Sequence, residues 1–331
     1  MRLSVVIPTY KRPESLFRLL RSLNNQSLKP DEVLIVSGDK DSINELIIKE
    51  NYIDLSIRFF FSNPSVCVQR NKGIEESSGD YICLMDDDVE AESIYLETLV
   101  NYLDQNPKST VACGLFLEYR NNEWTAEFPP KSIMSLWYKR IFYHAVWGNV
   151  SKLQSNFLNR RIYSGLQKYY AAIGNGLTEA GWPLVTNLSE DVNACQIYSL
   201  GASIFRANQL KSHLFDEILE PSGIGDNYGV SLSLDEVKPI SVLKSTYIRH
   251  HKEVINRMST AKSYELRILA MAYFLEVNNM RDRRTHLRLV WSILGNLIAQ
   301  ASKLKLSMAW ASIRVFVIIL LGTNPYSPSN K

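Results

Sequence analysis

Short apolar runs alternate with amphipathic segments through the first third of the chain. Residues 3–7 (Leu-Ser-Val-Val-Ile) and 33–36 (Val-Leu-Ile-Val) are continuous enough to predict strands buried on both faces. Between them Leu16, Leu19, Leu20 and Leu23 recur at helical spacing behind Pro13, a residue suited to a first helical turn. Residues 57–61 predict a third strand, 68–76 a helix and 81–85 a further strand. This alternation predicts an α/β fold with an open, doubly wound, mostly parallel sheet. Such sheets bind ligands beyond the carboxyl ends of their strands, and polar residues cluster there three times, at 8–12, 37–41 and 86–88.

The last cluster is Asp86-Asp87-Asp88, three carboxylates directly after an apolar strand. Adjacent negative charges repel, so a fold that gathers them at a strand end implies a cation nearby. If the strand's alternation continues, Asp86 and Asp88 share one side and Asp87 takes the other. That suits a hard divalent ion, Mg²⁺ or Mn²⁺, held by one or two carboxylates and completed by phosphate oxygens. The competing expectation is an acidic first turn, with Asp88 and Glu90 preceding a helix through Ile94, Leu96 and Leu99.

Composition narrows the class. The 331 residues, 46% hydrophobic and 21% charged, suffice for one large α/β domain with an appendage. Cys67, Cys83, Cys113 and Cys195 lack the spacing of a zinc site or a disulfide framework, which predicts reduced core thiols and a cytoplasmic protein. No Gly-x-Gly-x-x-Gly follows the first strand and no Gly-Lys-Ser/Thr occurs, which argues against a dinucleotide dehydrogenase or a P-loop enzyme. Charge is uneven. Residues 252–331 hold 12 Lys and Arg against 4 Asp and Glu, leaving residues 1–251 at −5. A basic tail rich in apolar residues points to an anionic membrane surface rather than nucleic acid. The Trp- and Tyr-rich stretch from 118 to 200 suits a carbohydrate cleft or, more simply, a packed core edge.

Three motifs in order carry a family resemblance: Pro8-Thr9-Tyr10-x-Arg12, Gln69-Arg70-Asn71-Lys72-Gly73-Ile74, and Gly79-Asp80-Tyr81 leading into Asp86-Asp87-Asp88. With Leu200-Gly201-Ala202-Ser203, Phe215-Asp216-Glu217 and Gly225-Asp226-Asn227-Tyr228, the chain resembles the inverting, non-processive family 2 glycosyltransferases over residues 1–250. The resemblance implies a GT-A fold over 1–250, with 1–115 as the nucleotide-sugar half and 116–250 as the acceptor-side half, and a helical extension over 251–331. It also implies a nucleotide-diphosphate-sugar donor (UDP- favoured, dTDP- or GDP- as variants), Mn²⁺ or Mg²⁺, and a glycan or lipid-linked acceptor. By the same resemblance Pro8, Thr9, Tyr10 and Arg12 line the base and Arg70 contacts the donor. Asp88 is implied as metal ligand with Asp86 beside it, and Asp86 and Asp87 contact ribose and metal-bound groups.

Two departures bear on the site. The family's Glu-Asp pair, whose aspartate acts as base, is replaced by Asp226-Asn227, so Asp226 is the candidate base, with a plain helix cap as its alternative. Ser37-Gly38 stands where the family has an Asp pair, so Asp39 is the candidate substitute in base recognition. Glu190-Asp191 is expected to be a loop, and His250-His251 a surface pair, although some GT-A enzymes use a late histidine as a metal ligand. The C-terminal helices, with Leu287, Val290, Trp291, Leu294, Leu297 and Ile298 on one face and an apolar run over 315–321, are expected to pack on protein or to lie peripherally on the inner face of the cell membrane. The apolar run is too short to span a bilayer.

Overall fold

The computed structural model describes residues 1–153, 160–219, 221, 223–235, 239–253 and 255–327, which fall into two compact units. The first comprises residues 1–126, 189–194 and 198–257, and the second 127–188, 195–197 and 258–331.

The first unit is built on strands β1 (Leu3–Thr9), β2 (Glu32–Ser37), β3 (Ile57–Phe61) and β4 (Tyr81–Met85), paired in parallel in the order β4-β1-β2-β3. Every side chain of β1, β2 and β4 is buried, which is why these strands are largely apolar, with polar residues such as Glu32, Ser37 and Thr9 at the strand ends. Beyond β4 the sheet is mixed: the strand Ala202–Arg206 runs antiparallel to both β4 and Val111–Arg120, and Ile240–His250 runs parallel to the latter. Helix α1 (Pro13–Asn24) carries proline in its first turn and buries Leu16, Leu19, Leu20 and Leu23 in the core that also contains Val5, Ile7, Val33 and Ile35. Helix α2 (Glu45–Asn51) is capped by the Asn44 side chain, which accepts from the N–H of Ile47. Helix α3 (Val66–Glu76) lies against β1 because Gly73 has no side chain: a Cβ there would sit 2.3 Å from Val6 Cγ1.

At the amino ends of these strands, away from the polar clusters, the buried Glu32 carboxylate fastens three strands together. It accepts from Ser4 Oγ (2.7 Å), Ser78 N (2.7 Å), Ser78 Oγ (2.9 Å) and Arg58 Nη1 (2.9 Å). Burial works to raise its pKa, but the hydrogen bonds from Ser4, Ser78 and Arg58 prevail and pull it down to about 2.

The second unit differs from the sequence division at residue 250, because residues 127–188 group with the C-terminal helices. Its aromatic side chains explain the grouping. Tyr138 Oη donates to Gly295 O (2.6 Å), Trp182 Nε1 to Ser292 Oγ (2.6 Å) and Trp291 Nε1 to Ile141 O (2.9 Å). Phe142 stacks on Trp291 with centroids 5.0 Å apart and fills the space beside Gly295. These rings pack a helical core, as the simpler of the two readings expects. The C-terminal helices are Thr260–Val277, Arg283–Ala301 and Leu306–Leu321, and among the described residues none is long and apolar enough to cross a membrane. All four cysteines are free and buried.

A carboxylate whose pKa is depressed on folding contributes stability above its unfolded pKa and loses it as pH falls through the folded value. Glu32→Gln is therefore expected to cost on the order of 2 kcal/mol at pH 7. The difference between variant and wild type in urea unfolding should shrink as pH falls from about 4.5 toward about 2. A difference that stays constant over that window would place the stabilisation in packing instead of charge.

Candidate active site

The carboxyl ends of β1, β2 and β4 converge on one rim of the first unit. Gln69, projecting from α3, donates through Nε2 to Thr9 O (2.7 Å) and to Val36 O (2.8 Å), which ties the ends of β1 and β2 to the helix. Pro8 lies within β1 opposite Val36, and Thr9 closes the strand.

The three carboxylates do not continue the strand. Asp86, Asp87 and Asp88 enter a turn closed by Val89 N, which donates to Asp86 O (3.4 Å), and residues 89–91 then pair antiparallel with Ile240–His250. The predicted alternation and the predicted helix cap both fail for this reason: the next helix begins only at Tyr95. The turn sends each side chain to a different partner. Asp86 Oδ1 meets Arg70 Nη2 at 2.5 Å. Asp87 accepts from Thr9 Oγ1 (2.8 Å) and from Arg12 Nη1 (3.2 Å). Asp88 faces His250 Nε2 (3.3 Å), Arg257 Nη2 (3.4 Å), Glu253 N (3.3 Å) and, at 3.9 Å, Arg12 Nη1.

Burial sets the electrostatics. Asp87 is pushed up to about 6 by desolvation, with Arg12 and Thr9 restraining the rise. Desolvation acts on Asp88 as well, but His250, Arg12 and Arg257 outweigh it and hold this carboxyl below its usual range. Arg70 is 3% exposed and bridges two carboxylates, Asp86 and Asp226, with its guanidinium 4.9 Å over the Phe215 ring. Asn71, the next residue of α3, fixes that ring's backbone by donating to Phe215 O (2.8 Å) and accepting from Phe215 N (2.9 Å).

Asp226 opens the helix Asp226–Asp235. One of its oxygens is on Arg70 and the other accepts from Asn227 N (2.6 Å). Burial raises its pKa, Arg70 opposes the rise and Asp86 adds to it. The buried Asn227 Oδ1 has no hydrogen-bond partner. Gly201 is needed here, since a Cβ would sit 2.1 Å from Asp86 Oδ2.

The structure thus gathers Thr9, Arg12, Arg70, Asp86, Asp87, Asp88 and Asp226. Tyr10 flanks them, its carbonyl accepting from Asn256 Nδ2 (3.2 Å). Asp39 is folded into its own loop, with its N–H on Ser37 Oγ (3.1 Å) and its Oδ1 accepting from Asp41 N (3.4 Å). Glu190-Asp191 lies in a bend, as expected of a loop. His250 is not a surface residue: its imidazole is 16% exposed and faces Asp88, while His251 Nε2 meets Glu90 Oε2 at 2.9 Å. The pairing of His250 with Val89 brings it to the acidic turn, a long-range register no local pattern encodes. Its spacing two residues beyond the buried Ile248 was the available signal. Among the described residues no group of three or more His, Cys, Asp or Glu stands ready to hold a metal ion. Asp88 and His250 are the adjacent carboxylate and imidazole, and His250 Nδ1 is buried without a partner.

A family model described as Glycosyl transferase family 2 matches residues 4–163. The amylovoran biosynthesis glycosyltransferase AmsB of Erwinia amylovora is 39% identical over 92 residues, 26% of this chain and 31% of that protein. A GalNAc(5)-diNAcBac-PP-undecaprenol beta-1,3-glucosyltransferase of Campylobacter jejuni is 32% identical over 104 residues, 30% of this chain and 33% of that protein. The matched stretch therefore spans about a third of these relatives' length. Among solved structures, GalNAc-T7 with UDP, GalNAc and Mn²⁺ superposes with a TM-score of 0.55 at 13% identity, over 84% of this chain and 48% of that one. That likeness identifies a GT-A-like fold.

Replacing Arg70 by Met would leave Asp86 and Asp226 without their buried cation, an arrangement that typically costs about 3–5 kcal/mol. Asp226, already raised by burial and then deprived of Arg70, would penalise folding most at high pH and less once protonated. The Arg70→Met deficit in urea midpoint should be larger at pH 8 than at pH 5. Equal deficits at both would mean that lost packing on Phe215 dominates.

Proposed function

We propose, for a chain whose residues 4–163 belong to glycosyl transferase family 2, that it transfers one sugar from a nucleotide-diphosphate sugar to a glycan or lipid-linked acceptor with inversion at the anomeric carbon. The observation that carries this reading is the gathering of Arg12, Arg70, Asp88, His250 and Asp226 at the strand ends.

Thr9, Tyr10 and Arg12 sit where the β1 rim would receive a nucleotide base and ribose, with Asp87 holding Arg12 and Thr9 in place. Asp88 and His250 fit a divalent ion: one carboxylate and one imidazole leave positions open for diphosphate oxygens, and an imidazole donor favours Mn²⁺ over Mg²⁺. Such an ion, when bound, would offset the charge of the departing diphosphate. Asp86, the other expected ligand, has its Oδ1 on Arg70. Arg70 is a fixed positive group beside the place where that charge develops.

In the transfer, the acceptor oxygen forms a bond to the anomeric carbon as the bond from that carbon to the diphosphate breaks, and the acceptor's proton passes to a base. Asp226 is the base in this reading, because burial raises its pKa and so makes it a stronger proton acceptor, and each of its engaged oxygens retains a second lone pair. The relatives support a surface glycan as product, and the undecaprenol-linked acceptor named for the Campylobacter enzyme supports a lipid-linked one. The GalNAc-T7 complex supports a UDP donor and Mn²⁺. A lipid-linked acceptor would place the reaction at an anionic membrane surface, to which the basic C-terminal helices are suited.

A second reading, a silent GT-A-fold protein that binds nucleotide sugar or glycan, is favoured by the engagement of both Asp226 oxygens and by Asn227 at the family's base position. Screening UDP-, dTDP- and GDP-sugars for released nucleoside diphosphate separates the two. The enzyme reading predicts release that needs Mn²⁺, stops with EDTA, and falls at least about a hundredfold in Asp226→Asn and in Asp88→Ala. Donor binding without turnover, equal in wild type and Asp226→Asn, would establish the silent reading.

A further inference from the structure

The helix Leu306–Leu321 has two apolar faces. Its inner face buries Ala309, Ala311, Ser312, Val315 and Ile319, and the helix packs on Thr260–Val277 and Arg283–Ala301 within the second unit. The outer face holds Leu306, Trp310, Ile313, Val317, Leu320 and Leu321, between 39% and 75% exposed. Steps of four, three, four and three residues from Leu306 to Leu320, with Leu321 four beyond Val317, place them in one stripe along the helix. A continuous exposed stripe of large apolar side chains costs free energy in water and marks a surface with a partner.

Charge identifies that partner. Residues 283–331 contain seven Lys and Arg and no Asp or Glu. Lys303 and Lys305 are exposed beside Leu304 and Leu306 at the start of the stripe. Arg314 stands at its edge, 3.2 Å from the buried Glu265 carboxylate. A second copy of this chain meeting the stripe face to face would bring the same cations with no acid from this segment to oppose them. An anionic bilayer would take the apolar stripe into its headgroup and acyl boundary, with the cations at the phosphate level. Tryptophan and the long lysine stems suit that boundary.

We propose that the outer stripe of the helix Leu306–Leu321 docks the protein on an anionic lipid bilayer, lying in the interface without crossing it. This deepens the membrane-surface part of the proposed function, and it rests on that reading only for where the acceptor is met.

The test uses the full chain and vesicles made of equal parts phosphatidylglycerol and phosphatidylcholine, or of phosphatidylcholine alone, with nucleoside diphosphate release followed separately. Wild type should float with the anionic vesicles, at least about tenfold more weakly in about 0.5 M salt or on neutral vesicles. Brominated lipid should quench a fluorescence component that disappears in Trp310→Phe. The double variant Ile313→Glu/Val317→Glu should bind at least about tenfold more weakly, with unchanged melting temperature and nucleotide release. Absence of wild-type binding to anionic vesicles, or undiminished binding by the double variant, would overturn the proposal. Loss in that variant of a concentration-dependent dimer, with no vesicle binding by wild type, would assign the stripe to a second copy. Because nucleotide release is read without lipid, failure of docking and failure of the transferase reading are distinguishable.

Discussion

A buried guanidinium must be neutralised where it lies, and Arg70 organises its surroundings through that requirement. It draws Asp86 from the turn after β4 and Asp226 from the start of a helix far away in sequence, and it stacks over Phe215. Each attachment has its own support. Gln69 and Asn71 flank Arg70 on α3 and fix the strand ends and the Phe215 loop, while Gly73 lets the helix approach β1 and Gly201 leaves room for the Asp86 carboxylate. Sequence-distant segments thus converge on one cation, which gives the rim a defined geometry before any ligand arrives.

The acidic turn divides its labour. Asp86 belongs to Arg70, Asp87 orients Thr9 and Arg12, and Asp88 is left facing His250. Cationic and donor groups around the three adjacent carboxylates offset their mutual repulsion. In the proposed reading Asp88 and His250 receive the divalent ion, and Arg12 and Arg257 lie close enough to respond to the charge of a bound diphosphate.

Much of this was legible in the sequence because parallel strands packed between helices are written as short, largely apolar runs. Residues 3–7, 33–36, 57–61 and 81–85 all fall within strands, and the polar residues after the first and fourth meet at one rim. Three features were not legible. The turn after Asp86 leads residues 89–91 onto Ile240–His250, a partner far away in sequence, so the local pattern continued the strand instead. The histidine pair resembled a surface feature until the pairing of Ile240–His250 with residues 89–91 carried His250 to Asp88. The middle stretch joined the C-terminal helices through rings such as Phe142 and Trp291, whose partners lie about 150 residues apart. In each case the deciding interaction was long-range, and periodicity describes only near neighbours.

In the proposed function the rim binds a nucleoside diphosphate together with a divalent ion on Asp88 and His250. Calorimetric titration of UDP into the protein, with Mn²⁺ and then with EDTA, tests it most directly. Saturable binding is expected with Mn²⁺, weakening at least about tenfold in EDTA and equally in His250→Ala. Binding unchanged by EDTA and by His250→Ala would contradict it.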